Sequence, residues 1–287
     1  MSVSQAELDA LLAGLLPVVE AEPQAPASTI ADLRGILVDF EANSARSSQV
    51  APGPSELAVG CDRRLAYRTL STPERPDGRV KWAPMIGTAV HALIAEALHA
   101  DNQAAMAAGA ETARWLVEER VWPDASISGS CDAYDTVNDM VVDWKVVGPS
   151  SLTKYRRHGP GPQYEGQIQL YGRGWERAGR RPRWVRIVFL ARSHDYEQAW
   201  EWTAPYNAAA AEAVLDRLYR LVALTGDLKL ADNPDLWGAV PANPGDDCRY
   251  CPYLQRGIPA PTNTGCPGDV AADARRTERF TDGLISQ

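Results

Sequence analysis

The sequence predicts an α/β fold, a small mixed central sheet flanked by helices, with a helical N-terminal extension and a cysteine-rich C-terminal segment. Three observations carry this. The 287 residues are 45% hydrophobic and 23% charged, an ordinary globular balance. Strand-like runs cluster in the middle of the chain, one of them reading Met-Val-Val-Asp-Trp-Lys-Val-Val. Helical runs precede and follow them, and the order helix, three strands, helix, strand is that of a mixed α/β layer sandwich.

The elements follow in order. Ser4 caps a segment in which Leu8, Leu11, Leu12, Leu15 and Leu16 recur at helical spacing, until Pro23 and Pro26 interrupt it. Thr29 and Asp32 form a capping pair for a second helix bearing Leu33, Ile36, Leu37 and Phe40. Residues 1–50 thus read as a helical extension and linker, a tail that docks on the main domain rather than a separate partner-binding module. The main domain spans 55–270, and 271–287 is a C-terminal tail. Within it, Ser55 caps a helix running through Arg68, and an Ala-, Leu- and Ile-rich helix covers about 86–99. Strands are expected at about 114–122, 127–136 and 140–147, then a helix over about 163–177. Strands near 183–191 and 197–203 and a helix over about 207–225 lead into the Pro-, Gly- and Cys-rich end of the domain.

Composition narrows the function classes. No run approaches the roughly 18 apolar residues of a membrane span, and the N-terminus lacks the basic start and apolar core of a signal peptide, so the chain reads as a cytoplasmic protein with no membrane partner. A formal net charge of −8 argues against a nucleic-acid coat protein but leaves room for a basic channel beside an acidic metal site. Five cysteines are too few and too uneven for a disulfide framework, and the clustered ones point to metal. Only four of the 29 basic residues are lysine (Lys81, Lys145, Lys154, Lys229), so a lysine inside an apolar strand needs a reason.

That lysine is Lys145, in Asp143-Trp-Lys145. Residues two apart on a strand share a face, so Asp143 and Lys145 project together while Trp144 turns away. With Asn138 and Asp139 as the two turn residues of a hairpin, Asp132 falls across from Lys145, and two carboxylates and an ammonium share one face. Paired aspartates are costly unless a divalent cation neutralises them, and such an oxygen-rich site suits Mg²⁺ or Mn²⁺. An ion there polarises a phosphodiester and acidifies a bound water, which the lysine orients.

Asp132, then Asp143-Trp-Lys145 on the next strand, then Gln167-Ile-Gln-Leu-Tyr171 on a helix resembles the PD-(D/E)XK nuclease superfamily. Upstream, Gly87-Thr-Ala-Val-His91 resembles the helix histidine of its RecB-like branch. The resemblance spans most of 55–270 and implies a restriction-endonuclease-like core. It implies that His91, Asp132, Asp143 and the main-chain carbonyl of Trp144 hold the metal, that Lys145 assists the attacking water, and that Gln167 and Tyr171 hold substrate or the edge of the site. Glu118 and Glu119 end the preceding strand, and one of them reads as an outer-shell group; Glu96 reads as structural.

Cys248-Arg-Tyr-Cys251 followed by Cys266 forms a C-x2-C pair with a third thiol. Thiolates at this spacing reach one metal, and four complete either zinc or an iron–sulfur cluster. Cys61 as the fourth resembles the iron–sulfur RecB-like exonucleases, where one cysteine precedes the nuclease core and three follow it, and a [4Fe-4S] cluster staples the domain's ends. Zinc remains the rival. Cys131 reads as a small apolar residue under its strand.

Lys154, Arg156, Arg157 and Arg173 belong to a basic zone between 154 and 192 suited to DNA phosphates, and Tyr155, Tyr164 and Trp175 are candidates for stacking unpaired bases. The expectation is a metal-dependent deoxyribonuclease, an exonuclease on single-stranded DNA ends as the resemblance implies, serving DNA repair, recombination or phage DNA metabolism. A helicase, a recombination protein or a CRISPR integrase is the expected class of partner. The open alternatives are a DNA-binding accessory subunit without its own catalysis, and a CRISPR adaptation nuclease that trims ends.

Overall fold

The computed structural model describes residues 4–6, 29–42, 52–75 and 80–268. The chain divides into two compact units, Met1–Ser44 and Ala45–Gln287. In the first, helix α1 spans Thr29–Ala42. The helix expected from Leu8 to Leu16, the start of the linker, the tail 271–287 and the side chains of Thr29 and Asp32 lie outside the described residues.

The second unit is a mixed α/β fold around one five-stranded sheet. Its strands are β1 (Trp115–Val121), β2 (Gly129–Asp135), β3 (Met140–Val147), β4 (Trp184–Ala191) and β5 (Trp200–Pro205), in that spatial order. β1, β2 and β3 form an antiparallel meander, β4 adds parallel to β3, and β5 closes antiparallel on β4. The parallel pair needs a crossover. Helices α5 (Pro149–His158) and α6 (Pro162–Arg177) supply it. No described helix is long and apolar enough to cross a membrane.

The faces of the sheet are covered differently. α6 seats Ile168, Tyr171 and Trp175 against Tyr134, Val141, Val185, Ile187 and Phe189. Gly174 permits this approach, because a Cβ there would stand 2.7 Å from the Val121 side chain. On the opposite face Ala133, Met140 and Val142 pack with Leu98 of the long helix α4 (Trp82–Ala107). A second core joins Leu57, Leu65 and Tyr67 to Leu215, Leu218 and Leu221 of helix α7 (Ala208–Asp227), and to Trp237 and Tyr253 beyond it.

Two expectations are corrected. The single helix expected from Ser55 to Arg68 is two, α2 (Pro54–Leu57) and α3 (Asp62–Thr69). The break has a remote cause: Arg217 of α7 donates Nη1 to the carbonyls of Leu57 and Val59 and Nε to Asp62, so the chain turns there and Cys61 enters α3 in extended conformation. The β2–β3 turn is four residues, Thr136 to Asp139, not two. Asp135 is fully buried, and it accepts the backbone N–H groups of Val137 and Asn138 and the Asn138 amide. That longer turn pairs Ala133 with Val142, and extending the same register sets Asp132 opposite Asp143 rather than Lys145. Helix α5 was not among the expected elements.

Candidate active site

β2 loses its ladders on both sides at one residue. The β1–β2 register is continuous from Trp115↔Asp135 to Val121↔Gly129 except at Glu118 and Asp132, and the β2–β3 register stops at Ala133↔Val142. Alternation also slips there. Tyr134 and Leu116 face α6 before this point and Cys131 and Val121 face it after, while Ala133 and Trp115 pack on the other side. Glu118 provides the local cause, holding φ 53° inside a strand, in the left-handed region that non-glycine residues avoid.

In the opening so formed, Asp132 Oδ2 accepts the Trp144 N–H at 2.7 Å and Oδ1 lies 3.3 Å from His91 Nδ1. N–H and C=O of one extended residue point to the same strand edge, so the Trp144 carbonyl also faces β2. Burial alone would lower the His91 pKa, but the Asp132 hydrogen bond and the Asp132 and Asp143 charges raise it. The pocket therefore favours a positive charge.

Asp143 lies next door, only 2% exposed. Its Oδ2 forms an ion pair with Lys145 Nζ at 2.6 Å, and its Oδ1 accepts Gln167 Nε2 at 3.3 Å. Burial pushes its carboxyl above the ordinary range, with the Asp132 charge assisting and Lys145 and His91 opposing. The Tyr171 phenol is also raised, first by burial and then by the Asp143 charge, and it is linked to the Gln167 side chain.

The structure sets His91 of α4 beside Asp132 of β2, and Gln167 of α6 and Lys145 beside Asp143 of β3, but among the described residues Asp143 does not join His91 and Asp132 in a group of ligand atoms within 4.8 Å of one another. Two residues expected in other roles, Glu118 in an outer shell and Tyr164 as a stacking ring, lie at the site itself. Glu118 brings a carboxylate oxygen within 4.8 Å of both the His91 and the Asp132 donor atoms, in the only group of three or more such ligands among the described residues. Tyr164 sets its ring centroid 5.0 Å from Lys145 Nζ. Tyr164, Gln167 and Tyr171 lie at i, i+3 and i+7 of α6, a spacing that marks one helix face.

The basic residues divide. Lys154, Arg156 and Arg157 are exposed on α5, and Arg156 donates to the Gln198 carbonyl. Arg173 donates to the Pro123 carbonyl and pairs with Glu212 at 2.9 Å. Tyr155 and Phe189 stack at 4.7 Å, and Trp175 is 5% exposed in the sheet core.

Cys251 lies in electrostatic reach of Cys61, at the start of α3, and of Cys266, while Cys131 is fully buried under the sheet. Cys61, Cys251 and Cys266 all lie in electrostatic reach of Tyr67. Cys248 stands beside Gly268 and takes the Gly245 N–H on its sulfur at 3.4 Å. Arg63 points Nη1 at the Cys266 sulfur, 3.7 Å away.

No protein-family model matches the chain, and no curated protein sequence matches it. Among solved structures, the chain is similar to LHK-Exo in complex with dAMP, at 13% identity and TM-score 0.41, over 64% of this chain and 92% of that one. The alkaline exonuclease LHK-Exo from Laribacter hongkongensis also matches at 13% identity and TM-score 0.36, with the same coverage. A phage related exonuclease from Haemophilus somnus 129PT matches at 13% identity and TM-score 0.29, over 46% of this chain and 68% of that one.

Proposed function

We propose that the protein is a divalent-metal-dependent DNA exonuclease of the PD-(D/E)XK type that hydrolyses phosphodiester bonds at single-stranded ends. One observation carries the reading: two carboxylates lie in electrostatic reach of each other where the ladders open, one beside an imidazole and the other buried against a lysine and an amide. A packed core has no use for such a group, since burying ionised residues is costly.

The donor set fits Mg²⁺ or Mn²⁺, being oxygen-rich with one imidazole, and Asp143 is a buried carboxylate in electrostatic reach of a second one. His91, Asp132, Asp143 and the Trp144 carbonyl would hold the ion. When bound, it polarises the phosphodiester and lowers the pKa of a water. Lys145 orients the attacking water and offsets negative charge developing on phosphorus oxygens. Gln167 keeps Asp143 turned toward Lys145, and Tyr171 packs behind both. Lys154, Arg156 and Arg157 steer the phosphate backbone along α5, with Arg173 at the far end of α6.

Cys61, Cys248, Cys251 and Cys266 are assigned to a [4Fe-4S] cluster. Among the described residues no three of these thiols lie within 4.8 Å of one another. Zinc is the alternative, since a C-x2-C pair does not by itself choose the metal. We place the activity in the cytoplasm, in DNA recombination, repair or phage DNA metabolism, with a helicase, recombination protein or CRISPR integrase as the class of partner.

The test is degradation of end-labelled single-stranded DNA by anaerobically purified protein with Mn²⁺ or Mg²⁺, alongside Lys145→Ala. Metal-dependent loss of label that disappears in the variant supports the nuclease. Tight DNA binding without cleavage by the intact, metal-loaded protein supports an accessory DNA-binding subunit instead.

A further inference from the structure

We propose that Glu118 is a direct ligand of the divalent cation, completing with His91 and Asp132 a three-donor site whose cost is borne in the backbone of β1. The inference rests on the metal-dependent reading above and goes beyond it, since that reading needs only His91, Asp132, Asp143 and the Trp144 carbonyl.

The geometry points there from three directions. The donor atoms come from three different elements, α4, β1 and β2, and all lie within 4.8 Å of one another. An octahedral ion with bonds of ~2.1 Å spans ~3.0 Å between adjacent donors and ~4.2 Å between opposite ones. The His91 to Asp132 separation of 3.3 Å is close to the first, and the exposed Glu118 carboxylate lies within 4.8 Å of both.

Glu118 is also aimed. A regular strand residue at 118 would carry on the alternation of its neighbours, and φ 53° breaks it at the position that faces Asp132. Left-handed backbone on a non-glycine residue persists only where its surroundings over-determine it. Ser130 contributes to this, its hydroxyl lying 2.9 Å from Glu118 Oε2 and 3.0 Å from the Glu118 carbonyl. That contact fixes the carboxylate from outside, as groups behind a metal ligand do. The imidazole in the set further predicts Mn²⁺ over Mg²⁺, because nitrogen donors favour the transition metal.

Mn²⁺ binding to the full chain, read by titration calorimetry and by loss of the free Mn²⁺ paramagnetic resonance signal, tests this without reference to activity. Glu118→Gln weakens Mn²⁺ binding at least tenfold, and Ser130→Ala weakens it several-fold. Glu118→Asn is the sharper variant, since asparagine tolerates the left-handed region. It keeps or raises the melting temperature of the metal-free protein while weakening Mn²⁺ at least tenfold. Parent-like Mn²⁺ affinity in both Glu118 variants, with Asp132→Asn still losing the ion, overturns the Glu118 assignment and leaves the nuclease reading standing. Parent-like affinity in Asp132→Asn as well overturns the cation site and the nuclease reading together.

Discussion

The Trp144 N–H donates to Asp132 Oδ2 at 2.7 Å, a side-chain oxygen standing where a backbone carbonyl of β2 would serve in a continued ladder. The substitution lets two central strands part without leaving a buried donor unpaired, which would cost about 1–3 kcal/mol. The opening also presents the carboxylate to His91 on its other oxygen. One aspartate is thus both the hinge of the gap and a candidate ligand in it.

Under the proposed function, Tyr164 is expected to position Lys145. Its ring lies 5.0 Å from the ammonium, and such contacts contribute about 0.5–2 kcal/mol. Tyr164→Leu lowers kcat about 2- to 30-fold with little change in KM, and Tyr164→Phe, which keeps the ring, restores it. Steady-state kinetics on an end-labelled oligonucleotide distinguish the two.

Lys154 and Arg157 project from α5 into solvent. The double variant Lys154→Gln with Arg157→Gln weakens single-stranded DNA binding uniformly across sequences. It reduces the slope of log affinity against log salt by about 1.4, at ~0.7 for each phosphate no longer neutralised. Binding titrations across a salt series, with Ca²⁺ to suppress cleavage, measure it.

Asp135 contributes stability that acid removes. Burial would raise its pKa, but hydrogen bonds from Arg114, Asn138 and the Val137 N–H outweigh it and hold it below the ordinary 3.8. A group lowered in the folded state stabilises above its unfolded pKa, and that contribution disappears as pH falls through the folded value. The Asp135 contribution to the melting temperature of the parent is therefore lost below a pH of about 4. Asp135→Asn melts lower than the parent at neutral pH and loses less on acidification, as thermal scans from pH 7 to 3 would record.

Cys251→Ser removes one thiol from the group beside α3. If the group holds iron and sulfide, the anaerobically purified variant loses the visible thiolate-to-iron absorption and melts at lower temperature. A colourless parent that yields zinc on acid release rejects the iron assignment.

Asp143 and Lys145 were legible because a strand alternates with period two wherever it is regular, and β3 is regular. Register was not, because the β2–β3 turn length depends on Asp135 capping it, an interaction that also requires Arg114 on another segment. Asp132 was harder still, since its direction depends on the φ of Glu118 on a neighbouring strand. α5 escaped because Leu152 and Tyr155 are its only large apolar residues, though Pro149 at its start and Gly159 just beyond its end bracket it. The split between α2 and α3 is imposed by Arg217 from far along the chain, where local periodicity has no information.

The Tyr67 hydroxyl is shared between the carbonyls of Thr262 and Gly265, and its ring stacks at 4.0 Å on Trp237 and 4.9 Å on Tyr253. With Arg63 bonded to Val240, this forms a clasp between segments that bracket the whole sheet. Mechanical tension applied to the chain on either side of the clasp is carried across it, and the strands of the five-stranded sheet lie inside the shielded loop. Pulling experiments should therefore show a first rupture at the clasp that leaves β1 to β5 intact, and a cluster joining Cys61 to Cys266 would raise the force of that first event without altering the second.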